Sequence, residues 1–385
     1  MTASDRFTGL AIIAAIITSF TGCIQEEAPN AEADIISCTL PDGFATQPIN
    51  YNEPFRDDVG AYPLYVEVSN SVDLSSLSPR FELTPGATIS PASGSTHNFN
   101  DSIFYTVTSE DGKWQRKYCV FIYNRKVLNI PDYFTFDKIF WEGNNKYQSF
   151  FEGDVKWSSG NGGFALTCGN AEADEYPVHY GPHEGHTGGC AILETRLTGA
   201  LGNMAGKPIA AGSIHLGSFN IVDALSDALK STLFGVPCTR VPKKVTGWYK
   251  YTSGPIFHTK EEFLSKTEEY DKDRKDHGNM TAVFYRSNTI IPFETLDGYV
   301  TNNDWQDSRI ISIARIKQLD DTDGWQEFTL ELDHTGKEID RNWLLDGGYG
   351  FSLIFSSSAD AGNFDGAVGS RLLLDDIKIF YEDEE

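Results

Sequence analysis

The sequence has no Cys-x-x-Cys pair, no Gly-x-Ser-x-Gly elbow, no His-Glu-x-x-His pair and no phosphate-binding glycine loop. Their absence removes the zinc-ribbon, thioredoxin-like, serine-esterase, zincin and P-loop classes, because each needs those residue types at fixed spacing. Gly347-Gly348-Tyr349-Gly350 reads as a turn, since no helical pattern follows it. Basic residues are scarce: 31 Lys and Arg against 55 Asp and Glu leave a formal charge of −24, with a pI near 4.6. Such a chain repels nucleic acid and anionic lipid, so no nucleic-acid partner is expected. Acidity suits neutral partners and leaves carboxylates to spare for divalent cations. The apolar run over residues 10–20 is too short to span a bilayer.

That run leads into Thr21-Gly22-Cys23 and then Gln25-Glu26-Glu27. A short apolar segment, a small pair and a cysteine form the cleavage context of bacterial lipoproteins. Residues 1–22 are therefore expected to be a signal peptide, with Cys23 the acylated first residue and 23–33 a polar, flexible tether. An ordinary signal peptide with a chance cysteine, or a core helix, are the alternatives. The acidic pair after Cys23 resembles the export signal of surface lipoproteins in Gram-negative gut bacteria. That resemblance implies an outer-membrane, cell-surface protein that touches the membrane through its lipid anchor only.

The mature length exceeds what one core usually organises, so two domains are expected. Aromatics at 13%, with 35 glycines and 16 prolines, favour an all-β chain with many turns. Residues 34–125 show short alternating strands, among them 62–68, 81–83 and 103–108, and an Asp111-Gly112 hairpin turn before the returning strand 114–123. That pattern predicts an immunoglobulin-like sandwich. Its runs at 81–94 and 105–112 resemble the Ig-like spacer domains of bacterial surface lipoproteins. Cys38 and Cys119 are placed either to pair or to serve as small buried residues; Cys168, Cys190 and Cys238 fall later.

Residues 131–382 carry strand signals throughout, from 163–167 and 191–195 to 349–356 and 371–381. Nine or more antiparallel strands predict a jelly-roll β-sandwich. Ile221, Leu225 and Leu229 suggest a short helix, and 260–277 reads as a charged helical or mobile insertion. Several motifs recur in order: Trp157 through Gly163 (Trp-Ser-Ser-Gly-Asn-Gly-Gly), 191–195, 206–214, 234–237, 243–251, 356–364 and 366–377. Together they resemble the family called putative carbohydrate metabolism domain. The resemblance implies a galactose-binding-like jelly roll concerned with glycan binding or metabolism, and it fixes no catalytic residue.

Trp141, Trp157 and Trp305 stand beside Gly, Asn or Asp in expected loops, where a flat ring can stack on a pyranose. Trp248 and Trp325 flank strands and are expected in the core. The run Val178 to His186 holds His179, His183, Glu184 and His186. It is read as an exposed loop, a rim to the sugar site through Tyr180 and His183, or a transition-metal site. Asp375-Asp376 ends the domain; only one of two successive strand residues can face inward. Acids at this place in carbohydrate-binding jelly rolls often hold a structural calcium, for which Asp137, Glu142 or Asp154 would be partners.

These features predict a surface lipoprotein that binds an oligo- or polysaccharide through its second domain and does not cleave it, alongside partner proteins of a surface glycan-uptake system. A glycoside hydrolase or lyase on the same fold is the alternative; it would need two carboxylates across a cleft. A structural or adhesive surface protein is the third reading.

Overall fold

The computed structural model describes residues 28–40, 51, 53–224, 226–266, 271–290 and 292–382. The expected signal peptide and Cys23 lie outside them. Two compact units emerge, Met1–Glu67 with Asp73–Tyr123, and Val68–Val72 with Asn124–Glu385.

In the first unit, Ile35–Thr39 pairs with Arg80–Leu83, and a second sheet runs Tyr62–Val68, Gln115–Asn124, Ile103–Thr108, Thr88–Ser90. Alternation decides which side chains enter the space between the sheets: Tyr105 and Val107 from one strand, Val120 and Ile122 from its partner. The Asp111-Gly112 turn closes this pair as expected. Gly112 adopts φ 68°, and the Asp111 carboxylate accepts from Ser109 Oγ at 2.6 Å and Lys113 N at 3.0 Å. Cys38 and Cys119 are both buried and both free thiols.

The second unit is a sandwich of two antiparallel sheets. The long sheet runs Ile310–Leu319, Gly278–Arg286, Tyr349–Ser356, Ser213–Phe219, Val155–Ser159, Tyr147–Glu152, Ile139–Glu142. The short sheet runs Val178–Gly181, Cys190–Glu194, Arg371–Tyr381, Pro242–Thr252, Gln326–Glu331. Met280, Ala282 and Phe284 meet Leu372, Leu374 and Ile377 in one core between the sheets. Each fully buried large apolar side chain contributes roughly 1.5–3 kcal/mol.

Two local expectations change. Residues 163–167 form the end of the helix Asn161–Thr167, not a strand. Two glycines in its first turn let it pack closely: a Cβ on Gly162 would stand 2.7 Å from Ile221 Cδ1. The expected helix over 221–229 is a turn followed by Ala228–Ser231, with Leu225 outside the described residues. The charged insertion begins as the helix Lys260–Ser265, started by a capping box in which Thr259 and Glu262 exchange side-chain-to-backbone bonds.

Candidate functional site

The long sheet has two usable faces. Ile214, Met280, Ala282, Leu353 and Phe355 point to the core. Their neighbours Ser213, His215, Asn279, Thr281, Ile354 and Ser356 point the other way and floor an open cleft of about 1040 Å³. Its walls come from the helix Asn161–Thr167, the segments 207–211, 228–232 and 298–305, and the turn 358–364. The floor is polar, with hydroxyl and amide groups from Ser213, Thr232, Asn279, Thr281 and Ser356. On the walls the half-buried Phe364 ring faces the space, with the buried rings of Phe164, Phe257 and Trp305 packed behind the surface.

Two of those rings are held by unusual backbone. Trp305 (φ 63°) and Phe364 (φ 62°) are in the left-handed region, which costs a residue with a Cβ of order 1–3 kcal/mol. Surrounding bonds impose it: Trp305 N donates to Val300 O at 2.7 Å and Phe364 N to Ala361 O at 3.0 Å. Trp305 also packs on Phe234, with ring centroids 5.7 Å apart.

Among the described residues the carboxylates lining the cleft are Asp276 and Asp360. Asp276 is buried, and burial pushes its carboxyl up. Both its oxygens are occupied. Oδ2 accepts from Ser358 Oγ (2.6 Å), Ser370 Oγ (2.7 Å) and Ala367 N (2.8 Å), and Oδ1 accepts from His277 N (2.9 Å). Asp360 is exposed and bonds Arg274 Nη2 at 3.3 Å. His215 is fully enclosed; burial pushes it down to about 4, so it stays neutral, with Nε2 on Ser218 O at 3.1 Å. The cations Lys207, Lys275, Arg315 and Lys317 complete the lining.

Of the predicted sugar-contacting residues, Trp305 borders this cleft, but it does not stand in an exposed loop: it is buried at 8% exposure and packs with Phe234, Leu296 and Val300 in a core cluster. Trp157 does not border the cleft. It lies on Val155–Ser159 at 2% exposure, between Phe134, Phe136 and Phe355, and cannot stack on a sugar. Its glycine neighbours mark close packing rather than a loop. Trp141 is exposed on the hairpin strand Ile139–Glu142. Tyr180 sits on the short-sheet edge strand Val178–Gly181 against Phe150, and His183 is exposed in the loop that follows. The histidines of that run diverge. His179 is buried with Nδ1 on Tyr176 O at 2.9 Å, whereas His186 stacks on Trp248 with centroids 4.0 Å apart. Trp248 is thus half-buried under His186 on the outer face of the short sheet, not in the core.

Three of the five predicted calcium ligands, Asp137, Asp375 and Asp376, do converge. Asp375 and Asp376 both reach the loop 182–189, which strict alternation forbids. A bulge explains it: pairing shifts between Thr246 and Trp248, Asp376 takes φ 52°, and the core phase moves from Leu372 and Leu374 to Ile377 and Ile379. Gly247 faces the bulge, where a Cβ would meet Ile377 Cδ1 at 2.5 Å. The carboxylates clamp the loop. Asp375 accepts from Thr187 N (2.9 Å), Asp376 from Thr187 Oγ1 (2.8 Å), His186 Nδ1 (3.1 Å) and Tyr133 Oη, and Asp137 from Gly189 N (2.8 Å). Burial pushes Asp375 up to about 6. For Asp376, burial works upward, yet the bonds from Tyr133, Thr187 and His186 hold it below the usual range. Glu142 instead pairs across its hairpin with Tyr147. These oxygens already meet N–H and O–H donors, and among the described residues no group of three or more His, Cys, Asp or Glu is placed to hold a metal ion. The set does not fit calcium.

Sequence reasoning missed Asp276, Lys207 and Phe364. Their only signal was membership in motifs 206–214 and 356–364 and in the charged insertion.

Similar proteins agree with this architecture. The family described as putative carbohydrate metabolism domain matches residues 135–380, and that described as SGBP, N-terminal, matches 62–122. A solved structure of a putative glycoside hydrolase from Bacteroides thetaiotaomicron is 36% identical, covers 94% of this chain and 100% of its own, and superposes with a TM-score of 0.61. Another putative glycoside hydrolase, from Bacteroides vulgatus, is 36% identical over 66% of this chain and 99% of its own, with a TM-score of 0.59. No curated protein matches significantly. The chain is an all-β, carbohydrate-associated protein and belongs to the putative carbohydrate metabolism domain family, behind an SGBP-type N-terminal domain.

Proposed function

We propose that this protein is a surface lipoprotein, anchored through Cys23, that captures an oligo- or polysaccharide in the outer-face cleft of its second domain without cleaving it. The observation that carries the reading is the lining: hydroxyls and amides on the floor, the half-buried Phe364 ring on the wall, and space of about 1040 Å³ open to solvent. A sugar needs that combination, since its hydroxyls seek oriented donors and acceptors while its apolar face seeks a ring. Hydrolysis, the activity in the descriptions of the two similar chains, asks for two carboxylates facing the glycosidic bond. Both Asp276 oxygens are held by internal donors, and that favours capture over cleavage.

A glycan array with the purified full-length protein, followed by analysis of released sugars, tests this. Selective retention without release supports capture, and released sugar would replace it by hydrolysis. Retention on no glycan of a broad panel would remove the carbohydrate reading of the cleft. Labelled palmitate should enter the wild type and not Cys23→Ser; incorporation into both would sink the anchor.

A further inference from the structure

We infer that the glycan taken by this cleft is acidic, carrying uronate carboxylates or sulfate esters, and that Lys207 and Lys260 form its anion seat; this rests on the glycan-capture reading above. The chain carries a net charge of −24, yet the cleft inverts that sign. Its charged lining is Lys207, Lys275, Arg315 and Lys317 against Asp276 and Asp360. Arg315 and Lys317 share Asp304, at 2.6 Å and 3.6 Å, and Lys275 reaches Asp321 at 3.9 Å. Lys207 in the lining, and Lys260 just outside it beside Phe364, differ. Among the described residues neither ammonium has a carboxylate within ion-pair distance, and the two approach the same aromatic ring. Lys207 Nζ lies 5.3 Å and Lys260 Nζ 5.7 Å from the Phe364 centroid.

Two like charges gathered on one ring repel each other unless an anion joins them. The Phe364 face offsets part of that repulsion through its quadrupole, and the ring itself is held in left-handed backbone. Burial, then Lys260, pulls the Lys207 ammonium downward, and the more distant Asp227 carboxylate works against them without cancelling them. An anion here would accept from both ammoniums while the sugar ring meets the polar floor. Long-range repulsion by the acidic chain is screened beyond about 8 Å at physiological salt.

The test uses the purified full-length protein and two matched pairs, polygalacturonate with its methyl ester and a sulfated galactan with its desulfated form. Affinity is read by calorimetry at low and physiological salt. The charged member of at least one pair should bind on the order of tenfold more tightly, with the margin shrinking as salt rises. A margin in the carboxylate pair alone, the sulfate pair alone or both supports the inference and says which anion is read. Lys207→Met with Lys260→Met should abolish the margin between the charged and the neutral member of each pair. Phe364→Leu, which keeps the lysines but removes the ring, should reduce it. Equal affinity within both pairs overturns the inference and leaves glycan capture standing. A margin that survives the double substitution overturns the assignment to these lysines. Binding of none of the four overturns the inference, and the broad glycan array then decides the capture reading by itself.

Discussion

Asp375 offers a sharp physical test. Its side chain is buried with no exposure, and burial lifts it from 3.8 to about 6. A carboxyl raised on folding binds its proton more tightly in the native state. The folded protein therefore holds more protons than the unfolded chain between pH 3.8 and about 6, and stability falls as pH rises through that window. The full shift corresponds to about 3 kcal/mol at most, and relaxation of the interior leaves about 1–3 kcal/mol. Asp375→Asn removes the titration. It also loses one acceptor, for Thr187 N or Asp376 N, a cost of about 1 kcal/mol that does not depend on pH. His215, pushed down to about 4, works in the opposite direction over an overlapping window, so wild-type stability alone does not isolate Asp375. The difference between wild type and variant does. Urea unfolding followed by tryptophan fluorescence should show wild type gaining about 1–3 kcal/mol relative to the variant as pH drops from 7 to 4. Six of the seven tryptophans lie in the second unit, so the signal reports the right domain. A flat difference would refute the burial argument. A difference of opposite slope would mean that the N–H donors outweigh desolvation and hold Asp375 as an anion.

Trp157→Ala should destabilise the second unit by about 3–5 kcal/mol in the same assay, whereas Trp141→Ala should stay within about 0.5 kcal/mol; similar costs for both would contradict the placement of Trp157 in the core. EDTA should leave the melting temperature unchanged, and a drop of about 5 °C or more would restore a metal to the stability of the fold. A thiol reagent at neutral pH should label Cys168, the half-exposed thiol, ahead of Cys38, Cys119, Cys190 and Cys238, which are buried. Peptide mass mapping reads the order, and early labelling of Cys190, pushed up to about 12 by burial, would contradict the packing.

What the sequence made legible follows from periodicity. Ser213–Phe219, Tyr349–Ser356 and Arg371–Tyr381 fall where alternation and turn residues place them, and the ordered motifs identified the family. Its failures have physical causes. Glycine was read as loop, but at Gly162 and Gly163 it makes room for Ile221, Ala224 and Phe219, and so a helix was read as a strand. The Asp375–Asp376 bulge depends on what Gly247 allows across the sheet, a relation invisible in either strand alone. The cleft joins residues between 160 and 364; Asp276, Lys207 and Phe364 are unremarkable locally and meet only through topology. Trp157 and Trp305 have similar local sequence surroundings; both are buried, Trp157 between the sheets and Trp305 in a smaller cluster beside the cleft.

The two-faced strands have a consequence for how this protein can change. Along Gly278–Arg286, Met280 and Ala282 belong to the core while Asn279 and Thr281 belong to the cleft. Tyr349–Ser356 repeats the division with Leu353 and Phe355 against Ile354 and Ser356. Selection acting on what the cleft accepts and selection acting on stability therefore fall on different, interleaved positions. Ser213, Asn279, Thr281 and Ser356 can be exchanged for other polar residues without opening a cavity between the sheets. Related chains can diverge in what the cleft accepts while keeping one scaffold. An inserted or deleted residue in either strand would be far more damaging than most substitutions, because it would turn floor into core along its whole length.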